Sequence, residues 1–543
     1  MKKIKSFLIS LLIFCITPAL SQQLFSRADT LRGNNGPLRT CYDIRYYHLD
    51  IKIDIENKFI SGSNLFRFTA KKTFDRLQFD LFDNMAIQKI VYKGLELPFT
   101  REFNAIFVQF PEKIKKGSTE TFTVFYSGNP IIAKRPPWDG GFVFTKDQRD
   151  KPWVAVACQG FGASSWWPNK DQQADEVDSM MISITVPNGV MDVSNGRLRS
   201  TVDRGNGFTT YNWFVSYPIN NYGVTVNIAD YTHFNDAFDG ENGQLRLDYY
   251  VLKENLQKAK DHFSTHVKPT LKSFEHWFGP YPFYRDGYKL VETPYLGMEH
   301  QSAIAYGNKY QNGYSGTDLS GTGLGLTWDY IIVHESGHEW FGNHITSKDI
   351  ADMWIHESFT MYSEALFIES QQGKQAGIKY ADGLRQHIRN DRPIIGPYQV
   401  NKEGSGDMYF KGANMLQTIR AIIHDDRKWL KILRGLNQKF GLKTTTTEEI
   451  VHYINKTAGI NLTKVFDQYL RFTNIPTLEV KRDLNHLVKY RWQANVKSFN
   501  MPVHVYDGDN LLILKPTLHW KSLKVKNDFI PDTANFYIKV RAQ

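Results

Sequence analysis

Apolar and polar residues alternate over much of the first half of the chain. "YYHLDIKIDI" (46–55) places an apolar side chain at nearly every second position, and "KFISGSNLFRFTA" (58–70) and "TETFTVFYSG" (119–128) repeat the pattern with turn residues between them. A period of two is that of a strand with one face buried. "MMISITVP" (180–187) and "NNYGVTVNIADY" (220–231) continue it, so residues 40–235 predict an N-terminal antiparallel β domain. Beyond about residue 250 the spacing lengthens to that of helices, in "NLQKAKDHFSTHVKPTLKSFEHWFG", "TWDYIIVHESGHEWFGN" and "TEEIVHYINKTAG", which makes residues 236–475 mainly helical. From Pro476 short alternating segments return, with "YDGDN" (506–510) as a hairpin turn, and residues 476–543 predict a small C-terminal β-sandwich. The expected fold class is multidomain α+β.

The first residues follow a different pattern. "MKKIK" is a basic start, "FLISLLIFCITPAL" an apolar run, and Ala19 and Ser21 offer small residues for cleavage before Gln22. This reads as a signal peptide over residues 1–21, too short in its apolar part to span a bilayer. The expectation is an exported protein, periplasmic or extracellular, with no stable membrane anchor after cleavage. Bulky Phe14 before Cys15 argues against lipidation. Cys41 and Cys158 then remain, and the sequence leaves their pairing open.

Composition narrows the functions. Apolar residues at 41% and charged residues at 22% are those of a globular chain. The formal charge of +10 falls to +7 without Lys2, Lys3 and Lys5. No long Lys/Arg run or basic stretch interleaved with aromatics is present, so the charge is a solvated surface and no nucleic-acid partner is expected.

Candidate chemistry gathers in "VHESGHEWFGNHIT" (333–346). His334 and His338 are four apart, which on a helix sets both imidazoles on one face within reach of one metal ion. Glu335 is rotated about 100° from His334 and can reach a water at that metal without being a ligand. The apolar "YII" before the motif makes its helix mostly buried, where His and Glu side chains need partners. A catalytic zinc takes three protein ligands and keeps an open position. Glu357, in the helical "DMWIHESFTMYSEALF" after 18 intervening residues, supplies the third; Glu364, two turns further on the same face, is a weaker candidate. The gap allows the first helix to end near residues 342–343 and a second to pack antiparallel to it.

This spacing of H-E-x-x-H and glutamate resembles the aminopeptidase N family of gluzincin zinc metallopeptidases. "WIHESFT" resembles the family's W-L-N-E-G-F-A, with His356 for Asn and Ser358 for Gly. "LGMEHQSAIAYGN" resembles its G-x-M-E-N substrate motif through Gly297, Met298, Glu299 and His300. "MYFKGANML" resembles its Y-x-K-G-A segment at Tyr409, and "ACQGFGASSWWPNKD" the segment whose Gln, here Gln159, lines the first side-chain pocket. The motifs stand in the family's order, 35 residues from Glu299 to His334 and 52 from Glu357 to Tyr409, and the resemblance runs from about 40 to 475.

The resemblance implies a thermolysin-like catalytic domain and one Zn2+ held by His334, His338 and Glu357. Glu335 is then the general base, Tyr409 an oxyanion donor, and Glu299 the anchor for a substrate amine. Gly297, Met298 and Gln159 complete the binding wall. The implied reaction removes the first residue from peptides with a free N-terminus. The departures are His300 for Asn, Phe161 where many members carry an acid two residues after the pocket Gln, and no stretch for a long helical C-terminal domain. The first two leave amine recognition leaning on Glu299; the last predicts a more open site. A zinc endopeptidase would share the metal set but need no amine anchor, and a dead scaffold would have lost a ligand or the base. An epoxide-opening hydrolase of the leukotriene branch is a third alternative, for which no residue speaks.

Overall fold

The computed structural model describes residues 25–483 and 486–542. The proposed signal segment lies outside the described residues.

The alternating segments form an eight-stranded sheet. Tyr42–Asp54 lies near its centre, antiparallel to Phe59–Ala70 and parallel to Met180–Pro187, with Ile51 facing Gly62 and Ile184 across the two ladders. Its inward residues Leu49, Ile51, Ile53, Phe66 and Phe68 are fully buried. Two smaller sheets cover it, and one of them carries the strand Pro152–Ala157 that leads directly into Gln159. Cys41 and Cys158 are both free buried thiols, bonded to the carbonyls of Leu38 and Tyr222 respectively.

The change to the catalytic region comes at Asp230. Asn227–Ala229 still belongs to an N-terminal sheet, whereas Tyr231–Gly240 pairs along its whole length with Gly243–Leu252. A division at 235/236 therefore falls inside a hairpin strand, because alternation continues unbroken from one sheet into the next. That hairpin joins a five-stranded sheet whose far edge is the two-residue strand Gly297–Met298. The long helix Leu256–Phe278 follows the hairpin and buries Phe263, Val267, Leu271 and Phe274.

Three further helices build the centre of this region: Tyr330–Gly337, Trp354–Gln372 and Phe410–Ile423. Asp329 caps the first through Ile331 N and Ile332 N, and each of its residues is buried. The last part of the chain forms a four-stranded and a three-stranded sheet. The Val503–Asp507 and Asn510–Leu514 strands close over Gly508 in the left-handed region, as the "YDGDN" turn requires. These sheets share one apolar core with the helices: Tyr537 N donates to Thr418 Oγ1 (3.0 Å), and Tyr469 OH donates to Tyr537 O (2.7 Å). No helix among the described residues is long and apolar enough to cross a membrane.

Candidate metal centre

The motif helix ends sooner than its sequence pattern implies. Regular α-helix stops at Gly337; a wider turn carries Glu339–Asn343, and the chain breaks at Phe341 and at Gly342, whose φ is 128°. A Cβ at Gly342 would sit 3.2 Å from His338 Nδ1, so the break needs glycine both for its backbone angle and for the imidazole beside it. The break turns the Phe341 carbonyl back onto His338, which donates Nδ1–H to it at 3.0 Å.

His334 is held in the same way from the next helix. Its Nδ1 lies 2.7 Å from Glu364 Oε1, and Tyr380 OH donates to the other oxygen of that carboxylate at 2.7 Å. Glu364 is thus not a member of the ligand group but the acceptor that fixes a ligand's tautomer. Such outer partners orient metal-binding imidazoles. Thr360 Oγ1 lies 3.2 Å from His338 Nδ1, and Glu364 one turn later meets His334. The helix Trp354–Gln372 therefore runs antiparallel to the motif helix.

With both Nδ1 atoms occupied, both Nε2 atoms are left for the interior. Ligand atoms of His334, His338 and Glu357 lie within 4.8 Å of one another, and all three residues are buried. Glu357 Oε2 stands 3.4 Å from His338 Nε2 and takes no hydrogen bond among the described residues. Burial holds the His334 imidazole down at about 3. Burial also opposes charge on His338, but Glu357, Glu299 and Glu335 overcome it and raise this imidazole to about 10. The carboxylates draw a positive charge to the point where a dication would sit. Two imidazole nitrogens and the Glu357 Oε2 oxygen, which has no hydrogen bond among the described residues, converge as a zinc ion with an open position requires.

The remaining predicted residues come together around this point, in a cavity of about 850 Å³. Glu335 lines it, buried, and burial pushes its carboxyl well above the ordinary range. A Cβ on Gly297 would fall 2.7 Å from Glu335 Oε1, so Gly297 is a space left for that carboxylate. Met298 pairs with Ala305 at the sheet edge and presents the following Glu299. Asn343 Nδ2 donates to the Glu299 carbonyl at 2.8 Å and to Glu339 Oε1 at 2.9 Å, tying the motif turn to the Glu299 loop. Gln159 bridges: its Nε2 donates to Glu299 Oε1 (2.5 Å) and to Glu357 Oε1 (3.0 Å). It lines the cavity, and its amide also sets a metal ligand and the predicted amine anchor side by side. Tyr409, half-buried at the head of the helix Phe410–Ile423, has its ring 6.3 Å from that of His334 at 21°. Burial, with Glu357, Glu403 and Glu299, keeps its phenol protonated and a donor.

Two departures have structural outcomes. Phe161 packs against Phe82, with ring centroids 5.4 Å apart, and lies half-buried against the N-terminal core. His300 is fully buried, and neither ring nitrogen has a partner among the described residues. Two residues of the site escaped the sequence reading. Glu339 accepts from Tyr281 OH (2.5 Å), Ser302 N (3.1 Å) and Asn343 (2.9 Å), pinning the Glu299 loop to the motif helix. Its position directly after His338 was the available signal. Glu403 lies in "VNKEGSGD", which reads as an ordinary polar loop; in the fold it lines the cavity, half-buried. Burial, then Glu357 and Glu299, push its carboxyl up to about 7.

Residues 44–222 match the peptidase M1 N-terminal domain, and residues 264–469 match the peptidase family M1 domain. The chain belongs to the M1 family. Among curated M1-like relatives, it is 23% identical to aminopeptidase N of Escherichia coli over 308 residues, 54% of this chain and 34% of that protein. It is 22% identical to leukotriene A-4 hydrolase of Xenopus laevis over 438 residues, 75% of this chain and 67% of that protein. The matches span about a third of the length of several such relatives, among them mouse endoplasmic reticulum aminopeptidase 1, at 28%. An M1 zinc metallopeptidase from Deinococcus radiodurans shares the fold, with a TM-score of 0.66 and 18% identity over 80% of this chain and 96% of that one.

Proposed function

We propose that this M1 chain is a zinc-dependent aminopeptidase. The observation that carries the reading is the Gln159 bridge, which sets a buried carboxylate outside the His334, His338 and Glu357 group, Glu299, beside Glu357. A protonated α-amine paired with Glu299 sits two bonds from the first peptide carbonyl, so only a chain that begins there fits. An endopeptidase has no use for that anchor. The M1 zinc metallopeptidase of Deinococcus radiodurans, solved with a Tyr-Ser-Ala substrate, supports a peptide as the ligand class.

His334, His338 and Glu357 would hold a zinc ion, which when bound would supply polarisation of the scissile carbonyl and a more acidic water. Glu335 receives the proton of the attacking water and passes it to the leaving amine, a transfer suited to a carboxyl whose pKa burial has raised. Tyr409 donates its O–H to the carbonyl oxygen as negative charge develops there. Glu364 and the Phe341 carbonyl keep the two imidazoles in the tautomer that faces inward.

The test is one peptide with a free and with an acetylated N-terminus. Cleavage of the free form, one residue at a time, with the acetylated form resistant, is expected; equal rates on both sink the exopeptidase reading. We also propose export, with residues 1–21 removed. N-terminal sequencing of the protein recovered outside the cytoplasm should begin at Gln22, and recovery of the intact N-terminus in the cytoplasm overturns this.

A further inference from the structure

The cavity carries a carboxylate that the mechanism does not use. Glu403 comes from the loop before Tyr409 and reaches the Gln159 loop at Gly160: a Cβ there would lie 2.6 Å from Glu403 Oε1. Gly160 has φ of +65°, so glycine serves both the turn and the approach of the carboxylate. The two loops are fastened together. Asn401 Nδ2 donates to the Gly160 carbonyl at 3.3 Å, Arg32 donates to the same oxygen at 3.4 Å, and Arg392 holds the Gly404 carbonyl at 2.8 Å. Glu403 is thus presented by a braced loop.

No donor or cation among the described residues pairs with it at contact distance; exposed Arg392 acts on it only from further away. The charges in the cavity show what is missing. Glu299, Glu335, Glu357 and Glu403 line it. Asp407 lines it too, but its carboxylate accepts from the backbone N–H of Arg389 (2.9 Å) and Asn390 (2.6 Å), and the exposed Arg389 side chain lines the same cavity. A metal ion would take up Glu357, the attacking water Glu335 and the α-ammonium Glu299, which leaves Glu403 as the carboxylate without a use. The α-ammonium belongs at Glu299, beside the metal ligand Glu357. Glu403 lines the same cavity beside Gly160, the residue after Gln159, within reach of the side chain of a first residue whose amine is held at Glu299.

We propose that Glu403 is the cation-binding wall of the first side-chain pocket and gives this chain a preference for peptides that begin with lysine or arginine. The inference rests on the aminopeptidase reading and names its substrate class. Zinc-loaded wild type and Glu403→Gln are compared on three peptides that differ only at the start: lysine, norleucine, which keeps the stem without the charge, and N-acetyl-lysine. In wild type, kcat/KM for lysine should exceed that for norleucine by about tenfold or more, the scale of a desolvated ion pair. In Glu403→Gln that ratio should fall to within about twofold, the loss falling on lysine far more than on norleucine, with zinc content unchanged. A wild-type ratio near one, or a ratio that survives in the variant, overturns the proposal. Equal losses on lysine and norleucine overturn it as well, by making Glu403 a partner of the α-amine. Rapid wild-type cleavage of the acetylated peptide would instead refute the aminopeptidase reading. If the glutamine variant does not accumulate as folded protein, Glu403→Ala replaces it, and the wild-type ratio stands as a test by itself.

Discussion

At the scale of single residues, the site separates groups that act from groups that aim. Glu335 is the proposed base, and its amide counterpart has the same shape without the basicity. Glu335→Gln is expected to keep one zinc per chain and lose roughly 10²–10⁴-fold in kcat. Metal analysis with a steady-state assay checks both halves, and a variant with near wild-type turnover removes Glu335 from the role of base. Tyr409 is expected to act late, on the developing oxyanion. Tyr409→Phe should lower kcat by about 10²–10³-fold and leave KM nearly constant; a raised KM with unchanged kcat would make it a binding residue only. Glu364, Glu339 and Gln159 aim. Their side chains terminate on His334, Ser302 with Asn343, and Glu299 with Glu357, and each bond is between 2.5 and 3.1 Å.

At the scale of elements, the irregular end of the motif helix matters more than its regular part. The break at Gly342 supplies the Phe341 carbonyl to His338 and turns the chain toward Asn343, which grips the Glu299 loop. An alanine there takes a left-handed angle that its Cβ resists and presses that Cβ against His338 Nδ1. Gly342→Ala should cost about 1–3 kcal/mol of stability and weaken zinc binding. Thermal unfolding and a chelator competition measure the two effects, and a variant equal to wild type in both would show the break to be incidental. The helical spacing of His334 and His338 was legible from the sequence. So was an end to the helix near residues 342–343; that the break there turns the Phe341 carbonyl onto His338 was not, since no periodicity encodes that contact.

At the scale of the whole molecule, the site is assembled from distant parts of the chain. Gln159 comes from the N-terminal domain, Glu299 from the edge of the five-stranded sheet, the ligands from two helices, and Tyr409 and Glu403 from the start of a third helix and the loop before it. Several buried carboxylates then face one another, and a bound dication is the natural relief of their repulsion. Removing zinc should therefore abolish activity and lower Tm. A ligand at about a thousandfold over its Kd contributes about 4 kcal/mol. Differential scanning with and without chelator, followed by zinc restoration, reads this out. Full activity and an unshifted Tm at well under one metal per chain would refute the metal site.

What the sequence determined is whatever depends on spacing along one element. Strand alternation, the His334–His338 face, the 18-residue interval to Glu357 and the order of the motifs are local, since a helix or strand fixes its own periodicity. Tertiary structure decided the rest. It set Glu364 against His334 Nδ1, outside the converging His334, His338 and Glu357 group. It turned Phe161 against the N-terminal core, made Gln159 a bridge between two carboxylates, and brought Glu403 over Gly160 across 243 positions of chain. No periodicity encodes such encounters, because they depend on how loops from separate elements pack. A loop glutamate in a polar stretch has the same sequence signature whether it faces solvent or the floor of a cavity.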